Sequence, residues 1–259
     1  MVFSWIKKWR RRRIAEAPFP APWLDYLHQN VPHYPLLEAD QQQKLRRDTQ
    51  VFVAEKNWEG CGGLTVTDEM RVTIAAQASL LVLALDDVLL DSVLSILIYP
   101  REYVAPAARR LGGGETVAAD VRLGEAWYRG PVILSWAEVI DDCRHLGHGR
   151  NVVWHEFAHQ LDMLDRAIDG TPPLDSREQY ERWTAVMSRE LKSLRSAIRI
   201  GQPTLIDPYG ASSESEFFAV VTECFFDRPV ELREEHSDLY KLLADFYRQD
   251  TAGRLAGAD

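Results

Sequence analysis

The chain has 259 residues, 46% hydrophobic and 27% charged, with its 13 prolines and 15 glycines scattered along the length. This excludes disordered, fibrous and low-complexity classes and allows one large globular core or two smaller ones. The net charge of −9 includes six cations and no acid within the first thirteen residues, so the remainder is strongly acidic, which excludes a broad nucleic-acid surface on the folded body.

The cations Lys7, Lys8 and Arg10 to Arg13 are followed by Ile14-Ala-Glu-Ala-Pro and not by the apolar core of an export signal. Residues 1–19 therefore read as a mobile, solvated basic tail, the one segment able to attract phosphate. Cys61, Cys143 and Cys224 lie far apart without CxxC spacing, which predicts free thiols and a cytoplasmic location.

Residues 18–35 hold five prolines among Trp23, Tyr26 and Leu27, predicting an anchored lead-in with one turn of helix. Residues 38–56 read as a helix that stops at the Gly60-Cys-Gly-Gly63 turn. Thr67-Asp68-Glu69 provides a cap and acidic first turn for a strongly apolar helix running to Leu85, with Asp86 and Asp87 marking its end. The uncharged stretch in it, residues 72–85, is too short to span a bilayer, so no membrane partner is expected.

Residues 93–99 predict a buried strand, Gly112-Gly-Gly114 a loop, and residues 126–136, broken by Gly130-Pro131, a hairpin or two short strands. A short helix over 137–143 and a tight Leu146-Gly-His-Gly149 connection lead to a helix over 151–164. Tyr180, Trp183, Met187, Leu191, Leu194 and Ile198 form a core stripe on a helix over 177–200, and two more helices are expected over 214–227 and 239–248.

The chemistry concentrates in His155-Glu-Phe-Ala-His159, an HExxH pattern inside an apolar helical run. Positions four apart on a helix are offset by about 40° and rise about 6 Å, so the two imidazoles can share one zinc ion. Glu156 lies about 100° round the helix from His155, on the open side of such a metal, and is the candidate general base. Two unpartnered imidazoles in an apolar helix would be costly, which favours the metal over an accidental pattern. A third ligand is needed. Glu214, Glu216 and Glu223 on the next apolar helix are the candidates, with Glu216 the best placed, while Asp162 and Glu223 are candidates for orienting a ligating histidine.

These residues resemble the Mlc titration factor A family of bacterial zinc peptidases over roughly residues 20–248. The resemblance rests on Trp58-Glu-Gly60, Thr67-Asp-Glu-Met-Arg-Val-Thr-Ile-Ala-Ala-Gln77, Asn151-Val-Val-Trp-His-Glu-Phe-Ala-His-Gln-Leu-Asp-Met163, and the run from Tyr209 through Glu216-Phe-Phe-Ala-Val220. The second half also resembles lethal-factor-type toxin metalloproteases, in which a Tyr-Gly element precedes the glutamate ligand by the spacing between Tyr209 and Glu216. That resemblance implies a gluzincin-like set of His155, His159 and Glu216 on one zinc ion per chain, and a catalytic Tyr209 that stabilises the developing oxyanion or the leaving group. Val220 departs from the acidic residue that many such peptidases carry four positions after the glutamate, and Glu223 is its candidate substitute.

The expectations are an α+β, zincin-like metallopeptidase with an HExxH helix, a small mixed sheet and a mostly helical N-terminal part. Residues 20–111 would form that part and 112–250 the catalytic part, with 251–259 a C-terminal tail. The expected activity is aminopeptidase-like hydrolysis of a peptide substrate by a zinc-activated water, and the resemblance adds binding to the glucose-responsive repressor Mlc. The alternative is a non-catalytic, repressor-sequestering protein with a vestigial or structural zinc site. Residues 132–136 could pair with an extended substrate or be plain core.

Overall fold

The computed structural model describes residues 2–85, 90–101 and 130–256. The chain begins with α1 (Val2–Glu16), α2 (Ala21–Asn30), a 3-10 turn (Tyr34–Leu36) and α3 (Ala39–Glu55). Then come β1 (Asn57–Gly60), α4 (Asp68–Leu81), β2 (Ser95–Tyr99) and β3 (Val132–Ser135). The remainder is helical: α5 (Trp136–Arg144), α6 (Val152–Asp162), a 3-10 turn (Met163–Asp165), α7 (Arg177–Arg199), a 3-10 turn (Pro208–Ala211) and α8 (Glu214–Asp227), followed by α9 (Pro229–Glu235), α10 (Ser237–Tyr247) and α11 (Thr251–Ala256).

Small polar side chains start the helices that matter most. Thr67, Ser135, Asn151, Ser176 and Ser213 each accept a hydrogen bond from a first-turn amide, satisfying one of the donors that a helix leaves open. α4 is buried from Val72 to Leu81 and forms the central pillar, against which α2, α3 and α6 pack. Its apolar surface all round explains why the alanines Ala75, Ala76 and Ala78 are there: small side chains let neighbouring helices approach. The indole of Trp154 ties α6 to this pillar through a hydrogen bond to the Gln77 carbonyl at 3.3 Å.

The sheet has the order β1-β2-β3, and both pairings are parallel, with Asn57 opposite Ser95 and Ile96 opposite Val132. This corrects the expected mixed sheet among the described residues. β1 and β2 run the same way because α4 lies between them in the chain, and a parallel return needs such a crossover. The described end of the 126–136 segment, read as a hairpin or two short strands, is a strand that leads directly into α5. Asp86, Asp87, the Gly112-Gly-Gly114 loop and residues 126–129 lie outside the described residues.

Three other expectations change. The basic segment is helical as α1, and Lys7, Arg10 and Arg11 bind Glu55 and Asp91, carboxylates that lie far downstream in the sequence. The proline-rich lead-in holds ten residues of helix with Pro22 in its first turn, where a missing N–H costs nothing. Beyond α10, Thr251 and Ala252 are fully buried, with the Thr251 hydroxyl donating to the Phe225 carbonyl at 2.8 Å. The α7 stripe packs inward at Trp183, Met187, Leu191 and Leu194, while Tyr180 and Ile198 at its edges remain exposed.

Candidate metal centre

α6 and α8 pack side by side and build the site between them. His155 and His159 lie one helical turn apart on α6, and their Nε2 atoms are 3.2 Å apart. Glu216 enters from the first turn of α8, its Oε2 3.1 Å from His155 Nε2 and 3.5 Å from His159 Nε2. Among the described residues, these three are the group whose donor atoms all lie within 4.8 Å of one another.

Each imidazole is held from behind. His155 Nδ1 is 2.7 Å from Glu223 Oε1, and the other oxygen of Glu223 accepts the Asn151 amide at 2.5 Å. His159 Nδ1 is 3.1 Å from the Ser215 hydroxyl, which donates to Asp162 Oδ2 at 2.7 Å. Asp162 is fully buried and is itself fixed by the amides of Gly170 and Thr171. With both Nδ1 protons turned to these acceptors, both Nε2 lone pairs face the Glu216 carboxylate.

That arrangement fits a cation. Two lone pairs and a carboxylate converge on one point, and Glu216 Oε2 is buried without a hydrogen bond of good geometry. Burial works against charge on His155, but hydrogen bonds to Glu216 and Glu223 outweigh it and lift the imidazole to about 10. Burial also opposes the Glu216 carboxylate, yet the two nearby imidazoles, 3.1 and 3.5 Å from its Oε2, hold it well below its usual range. The site thus favours positive charge at its centre, and a metal held by two imidazoles and a carboxylate supplies it.

Glu156 projects into the adjoining cleft of about 590 Å³, where burial and then the nearby carboxylates of Glu216 and Glu223 raise its carboxyl above the usual range against the pull of both histidines. Tyr209 sits on the 3-10 turn before α8, its ring centroid 6.0 Å from that of His155. Burial, and then the negative charge of the nearby Glu216 carboxylate, push its phenol up. Gly210 lets this turn lie against α8, since a Cβ there would meet Val220 at 3.3 Å. The same cleft is lined by Glu138, Asp141, Asp142 and Asp207, and by Ile133 to Ser135 of β3.

Of the glutamates left open by the sequence, Glu214 points away, with its Oε1 3.7 Å from Arg195, and Glu223 stands behind His155 and leaves the centre to Glu216. Val220, where an acid was looked for, is buried, and Glu223 one turn further on reaches His155 instead. Sequence reasoning missed Ser215. A hydroxyl directly before the ligand glutamate was the available signal, yet its meaning depends on Asp162, which arrives from another helix.

The sequence as a whole is that of a metallopeptidase family. The chain belongs to the family described as glucose-regulated metallo-peptidase M90, whose model matches residues 6–248. It is 40% identical to an uncharacterized protein of Synechocystis sp., covering 92% of this chain and 88% of that one. It is also similar to proteins named Mlc titration factor A. The one from Edwardsiella ictaluri is 35% identical over 85% of this chain and 86% of its own length, and the one from Pectobacterium atrosepticum 31% identical over 87% and 86%.

Proposed function

We propose that the protein is a zinc-dependent peptidase of aminopeptidase-like type in which His155, His159 and Glu216 hold the metal. The observation that carries this reading is the convergence of three unbridged donor atoms beside a cleft lined by a raised carboxyl, Glu156. Two nitrogens and one oxygen suit zinc and leave a position open for substrate. A bound zinc ion supplies Lewis acidity, which acidifies water and polarises a carbonyl. Glu156 takes a proton from the attacking water and returns it to the departing amine, a role suited to a carboxyl whose affinity for protons is increased. The Tyr209 phenol donates to the oxygen that gains charge as the carbonyl is attacked.

Peptide is the substrate class that the cleft supports best. β3 stands at the end of the described sheet, and its backbone at Ile133 and Leu134 runs along the cleft, where an extended chain can add as a further strand. The acidic side chains of Glu138, Asp141 and Asp207 complement a free α-amino group. Free thiols at Cys61, Cys143 and Cys224 support a reducing, cytoplasmic setting. Among the described residues no helix is long and apolar enough to cross a membrane.

The test is Glu156→Gln. Metal content should remain at one zinc per chain while turnover of chromogenic aminoacyl substrates falls by about 10²-fold or more; undiminished turnover rejects the assignment. A second reading follows from the relatives named Mlc titration factor A: binding to the repressor Mlc, with the metal as a brace. Capture of purified Mlc by the same Glu156→Gln variant would separate that role from hydrolysis, and failure of the wild-type protein to capture it would remove the role.

A further inference from the structure

α1 turns three of its six cations toward the body and its tryptophans Trp5 and Trp9 outward. Lys7, Arg10 and Arg11 face the body and bind Glu55 and Asp91, and the Glu55 side chain is only 6% exposed. Trp5, Ile6 and Trp9, by contrast, are 69, 48 and 51% exposed. Successive residues on a helix are about 100° apart, so Trp5, Trp9 and Arg13 share the outer side, flanked by Ile6 on one hand and by Lys8 and Arg12 on the other. Arg13 stacks on Trp9 with its guanidinium carbon 5.0 Å from the ring centroid. A groove continues this face between Trp9 and Trp23, over Pro18, Pro20 and Val53. Rolling α1 by half a turn would bury the indoles but would pull Lys7 and Arg11 off their carboxylates, so the ion pairs hold the aromatic side toward solvent.

We propose that this face of α1 docks the protein on an anionic phospholipid surface. Indole rings gain most at the boundary between headgroups and acyl chains, where their apolar body and polar N–H are both satisfied. Lys8 and Arg13 meet lipid phosphates at the same depth, joined by Arg12 where a phosphate replaces its exposed partner Glu16, combining the apolar and basic signals that surface attachment requires. The acidic remainder of the chain is repelled by the same surface, so only this end approaches and α1 lies flat. A helix that rests on a bilayer needs no spanning length. Duplex nucleic acid is a poorer fit, because the outward indoles and Ile6 gain little from a phosphate backbone and four of the six cations are already paired with carboxylates. A second copy is poorer as well, since a two-fold contact through this face would set arginine against arginine.

The experiment is co-sedimentation of the full-length protein with vesicles of phosphatidylcholine alone or containing about one-third phosphatidylglycerol, compared with a Trp5→Ala/Trp9→Ala variant. The wild type should bind the anionic vesicles at low salt, with a blue-shifted tryptophan emission that brominated lipids quench. The variant should bind about tenfold less while keeping its melting temperature, since both side chains are exposed. Equal binding to neutral vesicles, undiminished binding by the variant, or no vesicle binding alongside DNA retention or a dimer that the variant dissociates would each overturn the proposal.

Discussion

Glu223 uses its two carboxylate oxygens separately, one on His155 and the other on the Asn151 amide that leads into α6. Glu223→Gln keeps the volume but turns an amide NH2 toward one of two donors, so one hydrogen bond must become a repulsion. Zinc affinity, measured by competition with a chromogenic chelator, should fall by about 10- to 100-fold. Ser215→Ala should act in the same direction through His159, because Asp162 is too far behind the hydroxyl to replace it. At this scale the closeness of the two imidazoles was legible in the sequence, since helical period puts positions 155 and 159 on one face, whereas Glu216 stood out among three glutamates through the resemblance and through no period of its own. Ser215 was not legible, because its role arises only where two helices meet.

Whole elements depend on how closely backbone segments approach. Gly170 donates its amide to Asp162, accepts the Trp183 indole on its carbonyl at 3.0 Å, and has φ +75°. A Cβ there would stand 2.3 Å from the Glu214 carbonyl oxygen, at the very start of α8. Gly170→Ala combines left-handed strain with a backbone clash and should destabilise by about 2 kcal/mol or more, as read by urea unfolding. The same shift would displace Ser215 and Glu216 together. Helices with an apolar period of their own, α6, α7 and α8, were legible with ends close to those observed, whereas α4 stops at Leu81, four residues short of the expected Leu85. β1 was not legible: Asn57-Trp-Glu-Gly60 has no apolar alternation, and it is a strand because β2 offers it backbone partners. α11 was missed for a related reason, since Thr-Ala-Gly-Arg carries no period and is ordered by burial of Thr251 and Ala252.

At the scale of the molecule, one hydrophobic cluster runs from Leu27 in α2 to Ala252 in α11. His33 is buried within it, its ring edge-on to Trp154 with centroids 5.4 Å apart, and burial, aided by Arg254, lowers its imidazole from 6.5 to about 4. The unfolded chain binds this proton at higher pH than the folded one, so stability from this group is complete above about pH 6.5 and is lost as pH falls toward 4, by at most about 3 kcal/mol. Replacing it by His33→Leu should flatten the pH dependence of the melting temperature in that window; an unchanged slope would assign the acid sensitivity elsewhere. The direction of the sheet was the least legible feature at this scale, because strand pairing is decided by residues distant in the chain, whereas each helix carries its own period.

α8 supplies Glu216 to the centre, Ser215 to one imidazole and Glu223 to the other, while α6 supplies both imidazoles, Glu156 and the Asp162 carboxylate behind Ser215. The three-donor group of His155, His159 and Glu216 is complete only when the two helices have docked in register, and it is lost on their separation. Chemistry that depends on all three donors therefore waits for the finished fold and ends when the two helices part.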